Sequence, residues 1–429
     1  MKTVTPQGYL PRVVDAEIEE CLRLYGAVEV TGAKWCGKTW TARHHAQSIA
    51  YLDDPNSLEM AQSAPELLLD GDHPRVIDEW QLAPHLWDTV RHAVDDAGKR
   101  RGLWILTGSS APDYSATRHS GAGRIGRVRM SSMTLFESGD SLGAISLSGL
   151  FAGNFTPCRS EVSPNNLAAW CTRGGWPGVI RQAPREALRV ARDYLKSITT
   201  TNVPTKGKNA DTTMRLMRAL AKNLGQAATY KTLANDMYGS EDAPEKPTPR
   251  TIGEYVTMLD DFFLIEQLPG WAPPARSPKR FQTKEKRYFT DPSLAVALLG
   301  MNQESMLRDF QTFGLVFENL CLRDLAVYAA ALPEAADSPL RYYRDDTGLE
   351  ADAIIEQADG SWAGIEIKLG ANKTDQAAAN LLRLKQKLTQ NPLTQTREPA
   401  FLAVIVGLGE YAFQRPDGVY VIPINALAP

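Results

Sequence analysis

A glycine-rich segment, residues 32–39, lies between a β-branched run and a stretch that can form a helix. It fits the pattern G-x-x-x-x-G-K-[ST] at every fixed position, and this pattern requires a strand before the loop and a helix after it. Its glycines let backbone N–H groups approach phosphates, and the helix presents its positive end to the anion. The segment therefore predicts a parallel α/β sheet with a phosphate-binding loop; a chance glycine-rich turn is the alternative.

The loop pattern gives roles to individual side chains. Lys38 would neutralise charge on the β- and γ-phosphates, and the Thr39 hydroxyl would bind Mg²⁺. The predicted cofactors are therefore ATP and Mg²⁺. The residues predicted to line the nucleotide in this segment are Gly32, Ala33, Lys34, Trp35, Cys36, Gly37, Lys38, Thr39 and Trp40.

Two carboxylates, Asp78 and Glu79, end the apolar run that begins at Val76. We expect Asp78 to hold Mg²⁺ directly or through water, and Glu79 to orient or deprotonate the attacking water. An acidic pair after a short strand is often only a solvated turn. Its place downstream of the phosphate loop, with one predicted strand between, favours the functional interpretation.

Further polar and basic residues follow the next two predicted strands. Thr107 and Ser109 end the run that begins at Leu103, where they could sense the γ-phosphate or hold the lytic water. Arg124 and Arg127 are candidates for an arginine finger that reaches the nucleotide of a neighbouring copy, which would require a homo-oligomer. A plain polar turn and a solvated basic turn are the alternatives.

Composition excludes several classes of protein. The 429 residues carry 47 Lys+Arg and 50 Asp+Glu, so the chain is not one that coats nucleic acid over its whole surface. Its 5 cysteines form no C-x-x-C pair, so neither a disulfide framework nor a cysteine zinc site is predicted. There is no long apolar run and no secretory signal pattern, so we expect a cytoplasmic protein without a membrane partner.

Several motifs of the chain together resemble one family: the phosphate loop, Ile-Asp-Glu-Trp-Gln, Leu-Thr-Gly-Ser-Ser, an Ala-Gly-Arg turn, Gly-Gly-Trp-Pro-Gly and the later Tyr-Phe-Thr-Asp-Pro. The family is the prokaryotic AAA+-superfamily ATPases that carry a C-terminal domain of unknown function. The resemblance covers nearly the whole chain. It implies an AAA+-type core, a winged helix and a restriction-endonuclease-like C-terminal domain. Trp35 and Cys36 depart from the smaller or polar residues usual in the loop, at variable positions.

The predicted fold is a multidomain α/β protein with a helical middle. The N-terminal runs alternate between strand and helix patterns, which predicts a parallel sheet covered on both faces. The predicted divisions are 1–150 for the P-loop core, 151–204 for a helical lid or connector, 205–300 for a winged-helix-like domain and 301–429 for the restriction-endonuclease-like domain.

The last predicted domain contains carboxylates and a lysine in a suggestive order. Glu366 and Lys368 are two positions apart on a predicted strand and therefore share a face, and Asp352 lies on the preceding strand. Two carboxylates can hold Mg²⁺, and a nearby lysine can orient water. This order resembles the D…E-x-K signature of restriction-endonuclease-like nucleases, and Glu318 matches the additional acidic residue that many of them carry. A surface Glu-x-Lys ion pair is the alternative.

A basic segment precedes this domain and contains six basic residues and one acidic residue: Arg276, Lys279, Arg280, Lys284, Lys286 and Arg287, with Glu285. Because aromatic residues are interleaved and a helix resembling a recognition helix precedes it, the segment predicts a wing that contacts nucleic-acid phosphates. A solvated hairpin, or a surface that binds acidic regions of the same protein, is the alternative.

Together these patterns predict an ATPase whose activity is coupled to nucleic-acid binding by the C-terminal half. They do not decide whether that half also cleaves phosphodiester bonds. The alternative is a nucleotide-gated regulatory or scaffold protein whose nuclease-like domain binds a partner without cutting it.

Overall fold

The computed structural model describes residues 4–108, 120–239, 246–273, 276–391 and 396–429. The chain divides into two compact units: Met1–Met133 with Asp261–Phe263, and Thr134–Asp260 with Leu264–Pro429. The phosphate loop lies in the first unit, and Asp352, Glu366, Lys368 and the basic segment lie in the second. Residues 134–150, which the sequence grouped with the N-terminal core, are thus part of the second unit.

Five parallel strands form the sheet of the first unit, in the order β2, β3, β4, β1, β5. The strands are β1 (Ala27–Gly32), β2 (Ser48–Tyr51), β3 (Arg75–Asp78), β4 (Trp104–Thr107) and β5 (Ile125–Met130). Strands β1, β3 and β4 are almost wholly buried, as expected for a parallel sheet with helices on both faces. The parallel α/β sheet predicted for this region is confirmed.

Helices connect these strands and cover the sheet. They are α1 (Asp15–Leu24), α2 (Lys38–His44), α3 (Pro55–Ser63), α4 (Pro65–Leu68) and α5 (Leu86–Asp96). The start of α3 follows from local chemistry, because the Asp54 carboxylate accepts the Ser57 N–H at 3.0 Å and Pro55 takes the first helical position. On α5 the buried Trp87 stacks on Trp80, with ring centroids 5.1 Å apart. This packing holds the segment that follows β3, which contains Trp80, against α5.

The strand register brings three carboxyl ends to one edge of this sheet. Thr107 of β4 pairs with Val30 of β1 on one side and with Asp78 of β3 on the other. Because the strands are parallel, the segments that follow them leave the sheet at the same edge. The phosphate loop after β1 therefore lies beside Asp78 and Thr107.

The second unit contains a group of helices and a seven-stranded sheet. Its helices are α6 (Leu147–Phe151), α7 (Pro164–Arg173), α8 (Pro184–Ser197), α9 (Val203–Thr205), α10 (Ala210–Lys222), α11 (Tyr230–Tyr238), α12 (Pro249–Asp261), α13 (Lys279–Gln282), α14 (Pro292–Leu298), α15 (Gln303–Met306), α16 (Phe310–Ala330) and α17 (Thr374–Thr389). Among the helices of the described ranges, none combines the length and apolar character that a membrane crossing requires.

The seven strands follow the order β10, β11, β12, β13, β15, β14, β7. They are β7 (Cys158–Arg159), β10 (Ala335–Arg344), β11 (Glu350–Gln357), β12 (Trp362–Gly370), β13 (Phe401–Leu408), β14 (Tyr411–Gln414) and β15 (Tyr420–Pro423). Strands β10, β11 and β12 are antiparallel, whereas β12, β13 and β15 are parallel. Two short pairs complete the unit: β6 (Ile145–Ser146) with β16 (Leu427–Ala428), and β8 (Ile265–Leu268) with β9 (Lys286–Phe289).

Residues 139–165 are rich in Gly, Ser, Asn and Pro, yet they are not irregular throughout. They supply β6 and β7, which pair with strands from the end of the chain. The Ser141 hydroxyl also donates to the Leu427 carbonyl at 2.6 Å. Pairing between residues so far apart in the sequence leaves no local periodicity that would reveal it.

Candidate functional sites

Two glycines with positive φ angles permit the backbone conformation of the phosphate loop. Gly32 has φ 144°, and a Cβ there would lie 2.1 Å from the Met130 carbonyl oxygen. Gly37 has φ 103° and immediately precedes α2. Any side chain at either position would meet steric strain. The loop therefore packs against the end of β5, and the buried Cys36 thiol also approaches the Met130 oxygen at 3.6 Å.

Lys38 is buried within this loop. Its ammonium donates to the Ala33 carbonyl at 2.8 Å, so the loop backbone curls around the lysine. Trp35 and Trp40 are each 48% exposed, and Trp35 has a positive φ of 71°. Both tryptophans are therefore partly exposed, whereas Lys38 and Cys36 are buried.

The side chains of Thr39 on α2 and Thr107 on β4 both contact Asp78 on β3. Its Oδ1 accepts the Thr39 hydroxyl at 2.9 Å and also the Thr107 hydroxyl. Burial raises the pKa of Asp78, while the two hydroxyl groups oppose that rise. A hydroxyl and a carboxylate oxygen so close together fit the all-oxygen coordination of Mg²⁺. The sequence predicted each of these three residues separately, and the tertiary fold brings them together.

Glu79 follows in an unusual conformation, with φ 56° and ψ 41°. A residue with a side chain rarely adopts this left-handed region, and such residues are frequent at functional sites. Its carboxylate accepts a hydrogen bond from the Gln81 amide. Gln81 belongs to the Ile-Asp-Glu-Trp-Gln segment, yet sequence reasoning gave it no role.

The candidate arginines lie away from the loop. Arg124 directly precedes β5, whose first residue, Ile125, pairs with Ala27 at the start of β1. It is therefore at the opposite edge of the sheet from the loop, where it pairs with Asp95 at 2.9 Å. Arg127 pairs with the buried Glu29 at 3.3 Å. Neither arginine reaches the loop of its own chain, so contact in trans stays a prediction; Ser109 lies outside the described residues.

The carboxylates of the second unit converge around a lysine. The pairing of Ala353 with Ile365 continues so that Asp352 on β11 is opposite Glu366 on β12. Lys368 donates to Asp352 Oδ2 at 3.0 Å and to Glu366 Oε2 at 2.5 Å. Asp352 also accepts the Ile367 N–H at 2.8 Å. The Asp352, Glu366 and Lys368 side chains therefore share one face of the sheet.

Two residues of β9 join this cluster. Tyr288 donates to Glu318 Oε1 at 2.7 Å, and Lys286 pairs with Glu350 at 2.5 Å while lying 4.0 Å from Glu318. We call Lys286, Tyr288, Glu318, Glu350, Asp352, Glu366 and Lys368 the carboxylate–lysine cluster. Sequence reasoning missed Tyr288, although its i, i+2 spacing from Lys286 indicated a shared face.

Burial and mutual repulsion perturb the carboxyl groups of the cluster. Burial, reinforced by the charge of Asp352, raises the pKa of Glu366 to about 8 and that of Glu318 to about 7. Burial also opposes ionisation of Asp352, but the positive charges of Lys368 and Lys286 lower its pKa overall. Such separation of pKa values between neighbouring acids is typical of functional sites.

The predicted metal ligands of the second unit are Glu318, Asp352 and Glu366. Within the ranges that the structure describes, no group of three or more His, Cys, Asp or Glu side chains has the geometry of a metal site. The Lys368 ammonium, rather than a third carboxylate, bridges Asp352 and Glu366. Metal binding by Glu318, Asp352 and Glu366 therefore stays a prediction, and of these three Asp352 and Glu366 are the two that contact the Lys368 ammonium.

The basic segment divides into two groups. Arg280 forms a two-pronged ion pair with Glu356 at 2.7 and 2.8 Å, and Lys286 is buried in the carboxylate–lysine cluster. Arg287 donates to the Ala228 carbonyl at 3.0 Å. These contacts correct the prediction for Arg280 and Lys286, because both charges are already compensated inside the fold. The exposed members are Arg276, Lys279 and Lys284.

Comparison with protein families matches three successive parts of the chain. Residues 25–138 match a family described as an AAA domain. Residues 165–305 and 313–427 match families described as Domain of unknown function (DUF8612) and Domain of unknown function (DUF4143). The resemblance of the N-terminal part to AAA-type P-loop ATPases is therefore confirmed, and the other two matches carry no activity.

Two curated relatives span almost the whole chain. They are the uncharacterized proteins Mb2031c of Mycobacterium bovis and Rv2008c of Mycobacterium tuberculosis. Each is 26% identical to this chain over 418 residues, which is 96% of this chain and 83% of the relative.

A solved structure, the Walker-type ATPase PABY2304 of Pyrococcus abyssi, covers 70% of this chain and 98% of its own. Its TM-score is 0.45 and its identity 11%, so this likeness carries no conclusion. The match that bears on chemistry is that of residues 25–138, which are similar to an AAA domain and contain the phosphate loop, Asp78, Glu79 and Thr107.

Proposed function

We propose that this protein binds ATP with Mg²⁺ at the phosphate loop of the first unit and hydrolyses it. The observation that carries the proposal is the meeting of Thr39, Asp78 and Thr107 beside a loop wrapped around Lys38. Thr39 and Asp78 would hold the Mg²⁺, which would neutralise phosphate charge. Lys38 would bind the β- and γ-phosphates, and Glu79 would take the proton of the attacking water.

Lys38→Ala is expected to weaken ATP binding by about 10- to 150-fold. The variant removes a buried cation that would face the triphosphate, where one charge-assisted hydrogen bond contributes roughly 1.5–3 kcal/mol. Titration of MgATP into wild type and variant measures the effect. Lys99→Ala, which removes an exposed lysine from the same unit, is the matched control. Equal affinity in wild type and Lys38→Ala would refute the proposed site.

We further propose that the second unit acts on nucleic acid. Helices α10, α11 and α12 followed by β8 and β9 would form a winged-helix-like module, and the seven-stranded sheet a restriction-endonuclease-like one. In support, Lys368 lies between Asp352 and Glu366, where two carboxylates and a lysine suit metal-dependent phosphodiester cleavage. ATP turnover in the first unit would be coupled to this activity, and Arg124 could act in trans within a homo-oligomer.

A second candidate function is a nucleotide-gated scaffold that binds a partner without cutting. The observation that favours it is that the Lys368 ammonium already donates to both carboxyl groups, so their hydrogen bonds are satisfied within the chain. Assays for cleavage of single- and double-stranded DNA and of RNA, with and without ATP and Mg²⁺, separate the two functions.

Neutralising Arg276, Lys279 and Lys284 together is expected to weaken binding to every DNA sequence alike. Each lost phosphate contact should reduce the slope of log affinity against log salt by about 0.9. Binding isotherms at several salt concentrations measure this slope. The control neutralises three exposed basic residues of α8, Arg185, Arg189 and Lys196. An unchanged slope in the first variant would exclude the segment as a phosphate-binding surface.

A further inference from the structure

Arg12 connects two backbone segments of the first unit. The residue is 7% exposed, and its guanidinium donates to the Cys36 carbonyl at 2.9 Å and to the Ser131 carbonyl at 2.8 Å. Cys36 belongs to the phosphate loop, and Ser131 directly follows β5. Arg12 thus ties the loop to the end of the strand on which the loop packs.

The bond to Cys36 sets the direction of one peptide group. In a trans peptide the carbonyl and the following N–H point in opposite directions. A Cys36 carbonyl held by Arg12 therefore directs the Gly37 N–H away from Arg12. Gly37, with φ 103°, lacks the restriction that a side chain would impose, so a bond from outside the loop helps to keep this peptide in one orientation.

Arg12 is itself held in place. Its backbone N–H donates to Asp15 Oδ2 at 2.7 Å, and Asp15 Oδ1 accepts the Tyr9 hydroxyl at 2.7 Å. The Tyr9 hydroxyl also approaches Thr41 Oγ1 on α2 at 3.1 Å. The segment that carries Arg12 is therefore fixed to the helix that begins at Lys38.

We propose that Arg12 is a positioning residue of the nucleotide site, which holds the Cys36–Gly37 peptide so that its N–H is presented to a phosphate. This inference rests on the proposed ATP site. An arginine suits the role because its planar fork donates to two carbonyls from different segments at once, and a lysine ammonium lacks that fixed geometry.

The test compares Arg12→Met, Arg12→Lys and, as a matched control, Arg23→Met on the exposed face of α1. For Arg12→Met we expect the MgATP dissociation constant and the KM for ATP to rise about tenfold or more, because the Gly37 N–H would no longer be held in the orientation that a phosphate needs. The kcat should stay within about twofold, since Arg12 touches no reacting atom. Arg12→Lys should recover part of the affinity, and Arg23→Met should bind as wild type.

A purely structural role would give a different pattern. It would lower the melting temperature and the active fraction, and hence the apparent kcat, while KM stayed unchanged. That pattern, or MgATP affinity within about twofold of wild type in both Arg12 variants, would overturn the inference. If Arg12→Met does not fold, Arg12→Lys decides by the same readouts: a raised KM at unchanged kcat supports the inference, and MgATP affinity within about twofold of wild type overturns it. Absence of MgATP binding by the wild type would instead reject the proposed site itself, and this inference with it.

Discussion

Glu79→Gln is expected to slow ATP hydrolysis by about 10²–10⁴-fold while it leaves MgATP affinity nearly unchanged. Glutamine has the volume of glutamate and keeps an acceptor for the Gln81 amide, which bonds Glu79 in this structure. It cannot take a proton from water. The loss should therefore appear in kcat and not in binding.

Steady-state hydrolysis and nucleotide titration on the same preparation measure the two effects of Glu79→Gln. Glu66→Gln, an exposed glutamate on α4, is the matched control and should behave as wild type. Hydrolysis at the wild-type rate in Glu79→Gln would mean that Glu79 is not the base. The left-handed backbone at Glu79 would then need another explanation.

Asp352→Asn is expected to abolish Mg²⁺- or Mn²⁺-dependent cleavage of nucleic acid and to leave ATP hydrolysis at the wild-type rate. Asparagine keeps the shape of the side chain and an acceptor for the Ile367 N–H, which Asp352 binds at 2.8 Å. It removes the negative charge shared with Glu366 around one cation. A divalent ion held by hard oxygen ligands depends on that charge.

Asp337→Asn is the control for this effect, because Asp337 is exposed on β10 of the same sheet. Cleavage by Asp352→Asn at the wild-type rate would remove the carboxylate–lysine cluster from the reaction. Absence of cleavage by the wild type on every DNA and RNA form, with and without ATP, would instead favour the scaffold function.

Much of the ATP site could be predicted because its information is local in the sequence. The glycines, Lys38 and Thr39 occupy adjacent positions whose spacing is set by a strand, a turn and a helix. Asp78 and Thr107 each end an apolar run, and parallel strands bring such ends to one edge. In the second unit, the i, i+2 spacing of Glu366 and Lys368 was likewise enough to place both on one face.

The basic segment shows what a local charge pattern leaves open. A run of positive residues indicates a charged surface only if the side chains stay in solvent. Lys286 alternates inward on β9 and is compensated by Glu350, and Arg280 is compensated by Glu356. Their partners lie many residues away, so the local charge pattern could not distinguish these two from Lys279 and Lys284.

The sequence by itself determined the loop that would hold phosphate, the parallel sheet that carries it and the strand alternation of the carboxylate–lysine pair, since each depends on neighbouring residues. The tertiary structure alone decided that Thr39, Asp78 and Thr107 share hydrogen bonds, that Arg12 holds the loop backbone, and that β7 completes a sheet made from the end of the chain. These features depend on pairings between distant segments, which are set by how the chain buries its apolar surface and satisfies its buried polar groups.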